Sequence, residues 1–89
     1  MIFTWDEEKR KKNIEKHNLD FVFAEKIFDT SKGHDFIDNR FDYGEERHLH
    51  YAEIDGIKVC LCYVTRKDEM RIISLRRVHD KEWRKYYDN

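Results

Sequence analysis

The stretch that decides the fold is RHLHYAEI-DG-IKVCLCYVT-RKDE-MRIISLR, residues 47–76. Asp55-Gly56 is a two-residue hairpin signal, because both residue types tolerate positive φ. The flanks, Arg47 to Ile54 and Ile57 to Thr65, therefore read as antiparallel partners. Arg66 to Glu69 supplies a second turn, and Met70 to Arg76 reads as the next strand. There Ile73 and Leu75 share one face while Ser74 and Arg76 share the other. The first pair is assigned to the core.

Upstream of this stretch, Asp42-Tyr43-Gly44-Glu45 reads as a turn, Asp35 to Arg40 as a strand around Phe36 and Ile37, and Thr30 to Gly33 as a turn. Phe21, Ala24, Ile27 and Phe28 fall on one face of a helix from Asp20 to Phe28, with Asp20 as N-cap and Phe23 at the edge of the apolar face. A first helix starts at the N-cap Asp6, carries Glu7 and Glu8 in its first turn, and runs to about His17, where Lys16 and His17 suit its C-terminal dipole. Ile14 is its one aliphatic residue, which places it on the surface. Ile2 to Trp5 is a short strand. Asp80 to Tyr87 closes the chain as a helix, with Trp83 and Tyr86 or Tyr87 at helical spacing. Trp5, Phe21, Phe28 and Trp83 are expected in the core. The predicted fold is α+β, an antiparallel meander sheet with two N-terminal helices and a C-terminal helix. The helices are expected to cover one sheet face and leave the other partly open.

Composition fits a single domain over residues 1–89. Charged residues are 42%, but 15% aromatic residues argue against disorder. The longest apolar run, Ile57 to Val64, is too short to span a bilayer. The N-terminal helix is charged where a signal peptide needs an apolar segment, so a cytoplasmic location is expected. Cys60 and Cys62 are neither a CxxC pair nor well spaced for a disulfide, and read as reduced, packed thiols. Charge is uneven: residues 1–17 carry net +1, residues 18–58 net −5, and residues 59–85 net +4. Only the last third offers a basic patch for nucleic acid. His48 and His50 share a strand face but lack a third ligand, so they read as a solvated or partner-facing surface. No metal and no cofactor is expected.

Several ordered motifs carry a family resemblance. Phe3-x-Trp5-Asp6-x-x-Lys9-x-x-x-Asn13-x-x-Lys16-His17 opens the pattern and Phe21-x-x-Ala24-x-x-x-Phe28 continues it. Asp42-Tyr43-Gly44-Glu45-x-Arg47 is the most specific piece. Tyr63-x-x-Arg66, Arg71-Ile72-Ile73-Ser74-x-Arg76-Arg77 and Glu82-x-x-x-Tyr86 follow. Together they resemble the BrnT family. Where that family often has glycine, this chain has Asn18, which tolerates the left-handed conformation of a helix C-cap. The resemblance implies a RelE-like fold and a ribonuclease toxin of a type II toxin–antitoxin system, cleaving RNA without metal to stop translation. It also implies a BrnA-like antitoxin with a ribbon-helix-helix DNA-binding domain, in a two-plus-two complex that touches DNA only through the antitoxin.

Such chemistry needs a group to take the ribose 2′-hydroxyl proton and cations to hold the charged phosphate. Arginine suits the phosphate, since its planar fork stays protonated. Arg47, Arg66 and Arg76 are the clamp candidates, on the expectation that their strand ends converge on one rim. His17 and Glu45 are the proton-transfer candidates, and Glu45 is equally a partner for Arg47. The catalytic set is thus Arg76, Arg47, His17 and Glu45, with Arg66, Lys9 and Tyr86 as RNA contacts. The competing function is a catalytically inactive antitoxin-binding module acting as co-repressor. A DNA-binding role for the chain itself lacks a recognition-helix motif.

Overall fold

The computed structural model describes residues 2–29, 32–40 and 42–87. In chain order the elements are β1 (Ile2–Trp5), α1 (Glu7–His17), a 3-10 turn (Phe21–Phe23), α2 (Ala24–Asp29), β2 (His34–Ile37), β3 (Arg47–Ile54), β4 (Ile57–Arg66), β5 (Glu69–Arg77) and α3 (Asp80–Tyr86). The Asp55-Gly56 turn forms with φ values of 50° and 80°, and it locks Ile54 opposite Ile57 and Leu49 opposite Cys62. The next turn is tighter than the sequence suggests: β4 reaches Arg66, β5 begins at Glu69, and Lys67 takes the left-handed conformation. Of the expected Thr30 to Gly33 turn, Thr30 and Ser31 lie outside the described residues.

The strand order is β1-β5-β4-β3-β2. Strands β2 to β5 form the expected antiparallel meander. The sheet as a whole is mixed, however, because β1 pairs with β5 in parallel. A parallel neighbour needs a long crossover, and everything from α1 to β4 lies between these two strands. The second helix also departs from expectation. Asp20 caps it through Val22 N–H, but its first turn is 3-10 and α2 is short. Val22 and the two phenylalanines are weaker helix formers than Ala24, Glu25 and Lys26, which follow them. Only one long helix therefore stands at the N-terminus.

Helix α1 follows its sequence closely. The Asp6 carboxylate accepts from Glu8 and Lys9 N–H at 2.8 and 3.2 Å, and Asn18 ends the helix at φ 57°. Its one buried residue is Asn13. The Asn13 amide accepts from Leu75 N–H at 3.1 Å and donates to the Leu75 carbonyl at 2.8 Å. Strand β1 pairs with β5 only as far as Ile72, so Asn13 satisfies the backbone groups that β1 leaves open.

Both sheet faces are packed, which overturns the expectation of one open face. On the first, Phe21, Ala24 and Ile27 cover Ala52, Val59, Leu61, Ile72 and Leu75. On the second, Trp83 of α3 covers Leu49, Tyr51, Cys60 and Cys62. The cause lies in β4, buried from Val59 to Val64 without a break; such a strand needs cover on both sides. A register shift opposite Cys62 and Tyr63 leaves Ile73 as an extra residue on β5. This bulge corrects the assignment of Ile73: Ile72 and Leu75 share the first core, and Ile73 packs with the second. Both cysteines are free and buried, and burial pushes the Cys60 thiol up to about 12.

Candidate functional site

The site forms where β5 hands over to α3. Val78 N–H donates to the Lys58 carbonyl at 2.9 Å, which turns α3 back over the second face. Its first turn then sets Glu82 above Arg76. The Arg76 guanidinium donates to both Glu82 oxygens, at 2.8 and 2.7 Å. The Tyr51 hydroxyl donates to the same carboxylate at 2.7 Å. Arg76 holds the Glu82 carboxyl below its usual range, against the pull of burial and with help from Tyr51. Burial, and then Glu82, push the Tyr51 phenol up. At neutral pH this is an ion pair braced by a protonated phenol.

Arg76 also lines an open cleft of about 650 Å³ with Lys16, His17, Arg77, Val78 and His79. Among the described residues no carboxylate lines it. Burial, the neighbouring Lys16 and the charge of Arg76 push the His17 imidazole below its ordinary value. His17 is therefore neutral at neutral pH, with a lone pair able to take a proton. Arg76 has five N–H donors and gives two to Glu82, so others remain for a phosphate. Glu82 itself lines a groove of about 400 Å³ with Phe36, Asn39, Arg40, Tyr51 and Tyr86. Tyr86 stacks on Tyr51, with centroids 5.3 Å apart and planes 8° apart.

Arg76, His17 and Tyr86 thus gather around one junction. The other candidates do not join them. Strands β3 and β5 run the same way on either side of β4, so Arg47, which starts β3, and Arg76, near the end of β5, sit at opposite ends of the sheet. This geometry overturns the expected single rim. The Arg47 guanidinium lies 4.1 Å over the Tyr43 ring, and its Nε is buried without a partner. Glu45 pairs with Arg66 at 2.9 Å rather than with Arg47, and this pair too is at the far end. Lys9 is exposed on α1. Reading the sequence did not single out Glu82, Tyr51, Lys16, Arg77 or His79 as site residues. Glu82 did stand in the closing motif, where its spacing to Tyr86 was the available signal.

His48 and His50 are not a solvated surface. On the first face, His48 and His50 each bond Asp35 through Nδ1, at 2.8 and 3.0 Å, and the Tyr63 hydroxyl donates to it as well. The register places Asp35 opposite His50, and Phe28 packs over the His50 ring with centroids 4.4 Å apart. Among the described residues no group of three or more His, Cys, Asp or Glu is placed to hold a metal ion. No described helix is long and apolar enough to cross a membrane.

No curated protein matches the chain. The family model of BrnT, described as the ribonuclease toxin of a type II toxin–antitoxin system, matches residues 5–82. That stretch includes β3 to β5, the Arg76–Glu82 pair and His17, and the chain belongs to the BrnT toxin family.

Proposed function

We propose that this chain is an endoribonuclease that cleaves single-stranded RNA in the cleft between His17 and Arg76, without a metal ion. The observation that carries this reading is the lining of one cationic cleft by the His17 imidazole and by the Arg76 guanidinium, which has donors beyond those given to Glu82. Arg76, Arg77 and Lys16 hold the scissile phosphate and its developing charge. His17 takes the proton of the ribose 2′-hydroxyl, whose oxygen attacks phosphorus. The bond to the 5′-oxygen breaks, a 2′,3′-cyclic phosphate remains, and the leaving oxygen receives a proton from His79, the second imidazole on the cleft. Glu82 and Tyr51 fix the pose of Arg76. Arg66 and Lys9 are assigned to the RNA backbone beyond the cleavage point. Arg47 and Glu45 take no chemical step in this scheme.

The family implies an antitoxin partner, and a BrnA-like ribbon-helix-helix protein in a two-plus-two complex is the form proposed for it. A second reading is an inactive antitoxin-binding co-repressor. The observation favouring it is that Glu82 already neutralises Arg76. Purified protein, incubated with RNA in the presence of a chelator, separates the two. Cleavage that His17→Ala abolishes supports the first; its pH–rate profile is bell-shaped, as a paired base and acid require, and the acid limb has its midpoint below about 6.5, the ordinary histidine value. A folded chain that leaves RNA intact with and without divalent cations supports the second.

A further inference from the structure

The groove beside the Arg76–Glu82 pair has a makeup that phosphate binding does not use. The rings of Phe36, Tyr51 and Tyr86 meet there. Tyr86 lies flat on Tyr51, and Lys85 Nζ stands 5.1 Å from the Tyr86 ring. Phe36 meets both tyrosines edge-on, at 74° and 67°, with centroids 6.0 and 5.9 Å away. Phe36 is 37% exposed, and neither tyrosine lies parallel to it. Asn39 and Arg40 also line it, while Glu82 belongs both to the groove and to the ion pair.

We infer that this groove holds one unpaired nucleobase of the RNA whose phosphate sits at Arg76, with Phe36 as its stacking partner. The ligand class rests on the ribonuclease reading above. Three features favour a base over other occupants: Glu82 of the groove is bonded to Arg76 of the phosphate site, the walls are aromatic, and the lining includes the Asn39 amide. A π-face accepts any base. The carboxylates that line the groove are already taken, Asp38 by Arg40 and Tyr43 and Glu82 by Arg76 and Tyr51. The site therefore demands an unpaired base rather than a particular one, and cleavage is confined to single-stranded RNA.

The test uses 2′-O-methyl oligonucleotides, which resist cleavage, each carrying one 2-aminopurine at a different position. The wild-type chain quenches the fluorescence of at least one of them. Phe36→Ala weakens that binding by about tenfold, and Phe36→Tyr restores it. On cleavable RNA, Phe36→Ala raises KM by a similar factor and leaves kcat near wild type. Quenching that depends on Phe36 without any cleavage keeps the base site and removes the catalytic reading. Cleavage with quenching and KM indifferent to Phe36 removes the base site and keeps the catalytic reading. Indifferent quenching together with a lost antitoxin complex assigns Phe36 to the protein partner and overturns the base site.

Discussion

On each face of the sheet a carboxylate gathers several donors, Asp35 on the first and Glu82 on the second, and the two assemblies differ in what they leave over. On the first face Asp35 accepts from His48, His50 and Tyr63. The remaining nitrogen of His48 faces Glu46 at 3.0 Å. The remaining nitrogen of His50 is buried and unpartnered, and the Gly33 backbone lies against it. Among the described residues, each ring nitrogen of that assembly is therefore bonded or buried. On the second face Glu82 engages two of the five N–H donors of Arg76, and Arg76 borders an open cleft. A spare donor beside an open cleft, more than a clustered carboxylate, is what separates the second face from the first.

The division is broken or sharpened by experiment, the largest effect first. Arg76→Ala lowers RNA cleavage on the order of 10²–10³-fold, measured on a chain shown to be folded. If Asp35→Ala matched that loss per folded molecule, the two faces would not be functionally distinct. Gly33→Ala comes next. A Cβ there would meet His50 Nε2 at 2.3 Å, and overpacking of this kind costs about 1–3 kcal/mol in urea unfolding, with turnover unchanged. Asp35→Ala costs about 1–2 kcal/mol, discounted because the carboxylate is partly solvated. An unchanged urea midpoint would mean that the His48, His50 and Tyr63 bonds carry no net stability.

The smallest effects are in pH. Burial pushes the Asp35 carboxyl up, but the bonds from His50, Tyr63 and His48 outweigh it and hold it below its usual value; Glu82 is likewise held low, chiefly by Arg76. Depressed carboxyls contribute stability above their unfolded values of about 4. That contribution is lost as pH falls from there toward the folded values. Tyr51 and Tyr63 are pushed up, first by burial and then by Glu82 and Asp35. Their contribution is present below about pH 10 and is lost as pH rises beyond it. Urea midpoints across pH check both limbs. Tyr63→Phe should flatten the alkaline limb through the first face and Tyr51→Phe through the second. An alkaline limb untouched by both would place its origin elsewhere.

Much of this was legible in the chain itself. The Asp55-Gly56 hairpin, the caps at Asp6, Asp20 and Asn18, and the apolar face from Phe21 to Ile27 are local, and local chemistry decided them. The bulge at Ile73 was not legible, since an extra residue appears only against its partner strand. The parallel placement of β1 depends on a crossover that no short pattern announces. The same limit applies to the site. His17 and Arg76 stood in motifs, but their meeting across α1 and β5 needed the fold. Alternation placed His48 and His50 on one face, whereas Asp35 became their partner only through the β2–β3 register. Arg47 and Arg66 were plausible as residue types, and the strand directions removed them from the cleft.

Asn13 has a consequence for how the molecule keeps to itself. Beyond Ile72, β5 would otherwise present an open edge to any other chain, and an open edge is a template for stacking copies into fibres. By taking both the N–H and the carbonyl of Leu75, the amide blocks that template at its midpoint. One side chain thereby does what a longer first strand would do, and it ends the sheet there without offering a new edge to copy.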